Sequence, residues 1–94
     1  MKGVIIVTGA SKGLGRAIAI LLAKNGNTVI AIARQSSELQ EVGEVLKSLS
    51  TGSIALPCDI GNHSDINSVT EEILSRFKHI SGIVHNAGII SPIK

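Results

Sequence analysis

Residues 3–15 run Gly3-Val4-Ile5-Ile6-Val7-Thr8-Gly9-Ala10-Ser11-Lys12-Gly13-Leu14-Gly15, an apolar stretch that breaks into three spaced glycines. The first half is rich in β-branched residues, which predicts a strand buried on both faces of a parallel sheet. After Gly13, residues Leu14, Ala17, Ile18, Leu21 and Leu22 recur at helical spacing, and Gly26 stands where a left-handed C-terminal cap is needed. A glycine turn between strand and helix lets backbone come close to a pyrophosphate, and the helix N-terminus adds free N–H groups and partial positive charge. Glycine turns also serve purely structural ends; it is the strand and helix on either side that point to a dinucleotide site.

The same alternation continues outward. Thr28 to Ala33 is a second short apolar run, and Leu39, Val42, Leu46 and Leu49 then fall on one helical stripe. Gly43 within that stripe costs about 1 kcal/mol relative to alanine unless close packing compensates. Ser53 to Leu56 predicts a third strand, after which Asn62 or Ser64 can cap a helix presenting Ile66, Val69, Ile73 and Phe77. Gly82 to His85 predicts a fourth strand. Strands alternating with helices of this length specify βαβ units with right-handed crossovers. The expected fold is α/β, the N-terminal half of a Rossmann-like doubly wound parallel sheet with about four strands and three helices. It forms one unit over residues 1–94, a partial dinucleotide-binding domain that stops after the fourth strand.

Composition narrows the function classes. The 94 residues are 44% hydrophobic and 17% charged, so there is enough apolar surface to fold. Phe77 is the only aromatic residue, which removes the stacking platforms of single-strand nucleic-acid binders. The net charge of +2 is spread without a basic run, so no nucleic-acid partner is expected. No apolar run reaches the roughly 18 residues that would span a bilayer, so no membrane partner is expected either. The single cysteine, Cys58, and three histidines, His63, His79 and His85, lack disulfide or metal-motif spacing. A reducing, cytoplasmic compartment and no metal site are the expectation. Cys58 reads as a small strand-end residue, and His63 and His79 as solvated helix-end residues.

The Gly-x-x-x-Gly-x-Gly spacing of Gly9, Gly13 and Gly15 after a strand resembles the short-chain dehydrogenase/reductase family. Three further matches follow in that family's order: Arg34 beyond the second strand, Asp59-Ile60 beyond the third, and Asn86-Ala87-Gly88 beyond the fourth. All stand at carboxyl ends of strands, where open α/β sheets bind ligands. The resemblance spans the whole chain and implies an oxidoreductase that moves a hydride between a nicotinamide cofactor and a small-molecule carbonyl or alcohol.

Arg34 lies 19 positions beyond Gly15, where a dinucleotide fold reads the adenosine ribose. An acid there would accept from the 2′-hydroxyl of NAD; Ala33-Arg34-Gln35 offers none, and a guanidinium suits a 2′-phosphate. Lys12 resembles the basic residue that NADP-preferring members carry before the middle glycine, so NADP(H) is expected over NAD(H). The alternative for Arg34, and for Lys12, is a solvated surface charge. Ser11 is a candidate to bond phosphate or ribose, or to stabilise the turn. The resemblance implies that Asp59 bonds the adenine with Ile60 beside it; an ordinary Asx turn would also place an aspartate there. Asn86-Ala87-Gly88 resembles a segment that lines the cofactor, with His85 replacing the family's first asparagine. His85 itself is expected as a hydrogen-bonded strand-end residue.

The family's tyrosine general acid/base and its lysine partner act as a unit, and this chain has no tyrosine. No catalytic residue is therefore assigned, and the 94 residues alone are expected to be inactive. A non-catalytic dinucleotide-binding or interaction module is the alternative. The far edge of the fourth strand is expected to be unpaired and apolar, favouring homo-oligomers or poor solubility.

Overall fold

The computed structural model describes residues 2–86. Strands and helices alternate as β1 (Val4–Thr8), α1 (Gly13–Lys24), β2 (Thr28–Ala33), α2 (Ser37–Leu49), β3 (Ile54–Pro57), α3 (His63–Arg76) and β4 (Gly82–His85). The strands form one parallel sheet in the order β3-β2-β1-β4, with Ile6 opposite both Ile30 and Ile83. This is the expected Rossmann-like arrangement.

Because side chains alternate along a strand, each strand feeds two cores. Val7, Val29, Ala31 and Ala33 pack with α1 and α2 on one face. Ile30 and Ile32 pack with Ile73 of α3 on the other. The chain thus changes sides between β1 and β4, which opens a crevice at the strands' carboxyl ends.

Burial corrects two expectations. Among the described residues β2 alone is closely covered on both faces; β1 is buried only at Val7 and Thr8, and β4 exposes Ile83 at 65%. The predicted apolar stripe of α1 is only partly turned inward: Leu22 packs against the core and Ile18 is half-buried, but Leu14 is 68% and Leu21 59% exposed and Ala17 is exposed too. The buried stripe is Gly15, Ala19 and Ala23, one residue every four along the helix. Small residues there let α1 lie close to the sheet, and an inward leucine would hold it off.

α2 matches its prediction at Leu39, Val42 and Leu46, while Leu49, at the last turn, is half-exposed. Ser36 caps it, its hydroxyl accepting from the Leu39 N–H at 3.1 Å. A Cβ on Gly43 would meet the Ala55 Cβ at 2.9 Å, so close packing of α2 on β3 is what glycine permits. Asn62, not Ser64, caps α3 by accepting from the Asp65 N–H at 3.1 Å. On α3, Ile73 is buried and Val69 and Phe77 pack partly, but Ile66 is exposed. β3 starts one residue later than predicted because Ser53 is held otherwise: fully buried, its hydroxyl accepts from the Val29 N–H at 2.9 Å. Gly26 adopts φ +92, as a left-handed cap requires.

Candidate functional site

The crevice is a cleft of about 560 Å³ whose walls come from the carboxyl end of every strand. The β1–α1 turn contributes Gly9, Ser11 and Lys12; the segment after β2 contributes Arg34; the segment after β3 contributes Asp59 and Ile60. These are six of the residues expected from sequence, brought together from three separate segments. Gly13, Leu14 and Gly15 stand instead in the first turn of α1, and Asn86 lies just beyond β4. Ala87 and Gly88 fall outside the described residues.

The glycines do different work. Gly9 and Gly13 take φ +64 and +62, conformations in which a side chain is strained. Gly15 is needed for space: a Cβ there would run into the Gly9 carbonyl oxygen and the Asn86 amide. At Gly13 a Cβ would meet nothing within 4 Å, so open space lies over the start of the helix. Lys12 is the N-cap residue, yet its side chain makes no cap hydrogen bond. The first intrahelical bond runs from the Arg16 N–H to the Lys12 carbonyl at 3.4 Å, leaving the N–H groups of Gly13, Leu14 and Gly15 ahead of it. Together the open space and the uncapped N–H groups fit an anionic group.

A polar knot ties β4 to this turn. The Thr8 hydroxyl oxygen accepts from the Asn86 N–H at 2.9 Å and lies 3.0 Å from His85 Nδ1. The Asn86 side-chain amide donates to the Gly9 carbonyl at 3.4 Å. Beyond β3, Asp59 forms the Asx turn, its carboxylate accepting from the Gly61 N–H at 3.0 Å. The Asp59 N–H donates to Asp65 Oδ2 at 3.0 Å, so α3 fixes this corner of the cleft. Burial, followed by the carboxylates of Asp65 and Asp59, pushes the Cys58 thiol up; a protonated thiol is a poor nucleophile, in keeping with a packing role at the strand end.

Sequence reasoning missed Ser36, Glu38, Gly61 and the placement of His85 in the cleft wall. His85 closes β4 and Ser36 follows β2, so the strand-end rule that picked Arg34 and Asp59 would have found both. The charged walls are mixed: Lys12 and Arg34 are set against Glu38 and Asp59. Such a cleft can hold an extended anionic ligand along the strand ends, with Lys12 of the β1–α1 turn and Arg34 after β2 as its basic groups.

The family described as short chain dehydrogenase matches residues 3–94. The chain is similar to an NADPH-dependent pterin aldehyde reductase of Arabidopsis thaliana, with 39% identity over 87 residues, 93% of this chain and 36% of that protein. Its fold is similar to that of an oxidoreductase, yciK from E. coli, at a TM-score of 0.83 and 28% identity, covering 93% of this chain and 37% of that one. It is also similar to L-sorbose reductase from Gluconobacter frateurii, solved with NADPH and L-sorbose, at a TM-score of 0.80 and 34% identity, covering 93% and 34%. The chain thus spans about a third of the length of these relatives.

Proposed function

The chain belongs to the short-chain dehydrogenase family, and from that premise we propose that it is the NADP(H)-binding part of an oxidoreductase acting on a small-molecule carbonyl or alcohol. Membership supports this over a free-standing binding module. When bound, the nicotinamide would supply or accept the hydride. The residues of this chain bind and orient: Gly9, Gly13 and Gly15 keep the turn open, and the N–H groups ahead of Arg16 face the pyrophosphate. Ser11 and Lys12 flank the phosphates. Asp59 and Ile60 border the adenine, and Asn86, Ala87 and Gly88 are assigned to the cofactor by the family resemblance.

Preference for NADP(H) over NAD(H) rests on one observation: the first charged residue after β2 is Arg34, and it lines the cleft together with Lys12. A guanidinium can bind a 2′-phosphate through paired, charge-assisted hydrogen bonds. Arg34→Ala is expected to weaken NADPH binding by roughly 10- to 150-fold while leaving NADH binding little changed. Fluorescence titration of both cofactors with the full chain measures this; equal weakening of both would remove the 2′-phosphate assignment.

Two supporting features concern surroundings. Among the described residues no helix is long and apolar enough to cross a membrane, and Cys58 is a free thiol; the reducing cytoplasm suits it.

A further inference from the structure

His85 does more than end a strand. Its ring lines the cleft that also holds Lys12 and Arg34, and its Nδ1 is engaged by Thr8 Oγ1 at 3.0 Å. A threonine hydroxyl both donates and accepts. It can therefore donate to Nδ1 of a neutral imidazole or accept from Nδ1–H of an imidazolium, and the ring keeps its anchor in either state. Nε2 has no hydrogen-bond partner among the described residues.

We infer that His85 is a cofactor-recognition residue that presents Nε2 to the anionic ribose–pyrophosphate backbone of the dinucleotide and binds it more tightly when protonated. This rests on the dinucleotide-binding reading above. The charged and titratable groups that share the cleft wall are Lys12 before α1, Arg34 after β2, Glu38 of α2, and Cys58 and Asp59 after β3. The two cations and the two carboxylates offset one another, so one further positive charge makes the wall as a whole net positive. Histidine is the side chain that makes this change between about pH 5 and 8. The backbone is common to both nicotinamide dinucleotides, so the effect is independent of the 2′-phosphate.

The test compares the full chain with His85→Asn, which keeps a polar strand-end side chain, by titrating NADH and NADPH separately at pH 6 and pH 8. The ratio of affinities between the two pH values is expected to favour pH 6 by about three- to tenfold more in the natural protein than in the variant, for both cofactors. Taking the ratio between proteins removes the titration of the 2′-phosphate itself. Equal ratios in the two proteins, or a difference confined to NADPH, would overturn the inference. A second measurement needs no variant: the NMR titration midpoint of the His85 ring should move upward when NADH is added, because binding and protonation are linked. An unmoved midpoint at saturating NADH would overturn it as well. Failure of the underlying reading looks different, since the natural protein would then bind neither cofactor at either pH.

Discussion

The two faces of the sheet are held by different means. On the α1–α2 face ten buried residues form a continuous core, and the helices come close because Gly15, Ala19, Ala23 and Gly43 occupy the contact positions. On the α3 face the buried residues among those described are Ile30, Ile32, Cys58 and Ile73, with Val4 and Ile6 half-covered around them. Ile83 on the same side is mostly exposed. The closed face is the one that carries the glycine turn, so rigidity has been placed where the phosphates are proposed to sit. The other face contributes a corner, through Asp65 and Asp59, with less packed surface behind it among the described residues.

Substitutions can break or sharpen that contrast. Leu46→Ala, which empties a fully buried position on the closed face, is expected to cost about 2–5 kcal/mol. Ile73→Ala on the α3 face should fall at or below the low end of that range, because half-covered neighbours can relax into the space. Chemical denaturation of both variants measures the pair, and equal losses would mean that the faces are equally tight. Gly15→Ala comes next, at about 1–3 kcal/mol of overpacking, together with loss of cofactor binding as the turn is pushed away from Asn86. A variant with full stability and full binding would show that the turn has slack the structure does not suggest. The smallest effect is expected for Leu21→Gln: this exposed leucine should tolerate the change within about 0.5 kcal/mol, and a larger loss would mean that the outer side of α1 is covered.

Much of this was legible in the chain, and the exceptions have physical causes. The second strand and the α2 stripe could be read because β-branched runs and leucines at helical spacing are strong signals. The inward side of α1 was misread in part for the same reason. Leu14 and Leu21 outweigh Gly15, Ala19 and Ala23 on any scale of apolarity, yet close approach to a sheet selects for small size. Lys12, Arg34 and Asp59 were singled out because they stand where the resembled family carries cofactor-contacting residues, beyond predicted strands. The link from Thr8 to His85 and Asn86 was not, because its partners lie 77 and 78 positions apart and nothing local to either segment announces the other.

That separation has a kinetic consequence. β1 pairs with β4, and the two meet only after a loop of more than seventy residues has closed, a slow class of event compared with forming a helix or joining sequential strands. During synthesis β1 leaves the ribosome first and keeps one ladder edge open until β4 arrives. The cleft, which takes His85 from β4, therefore forms late, and a nascent chain must keep the apolar edge of β1 from other partners until then.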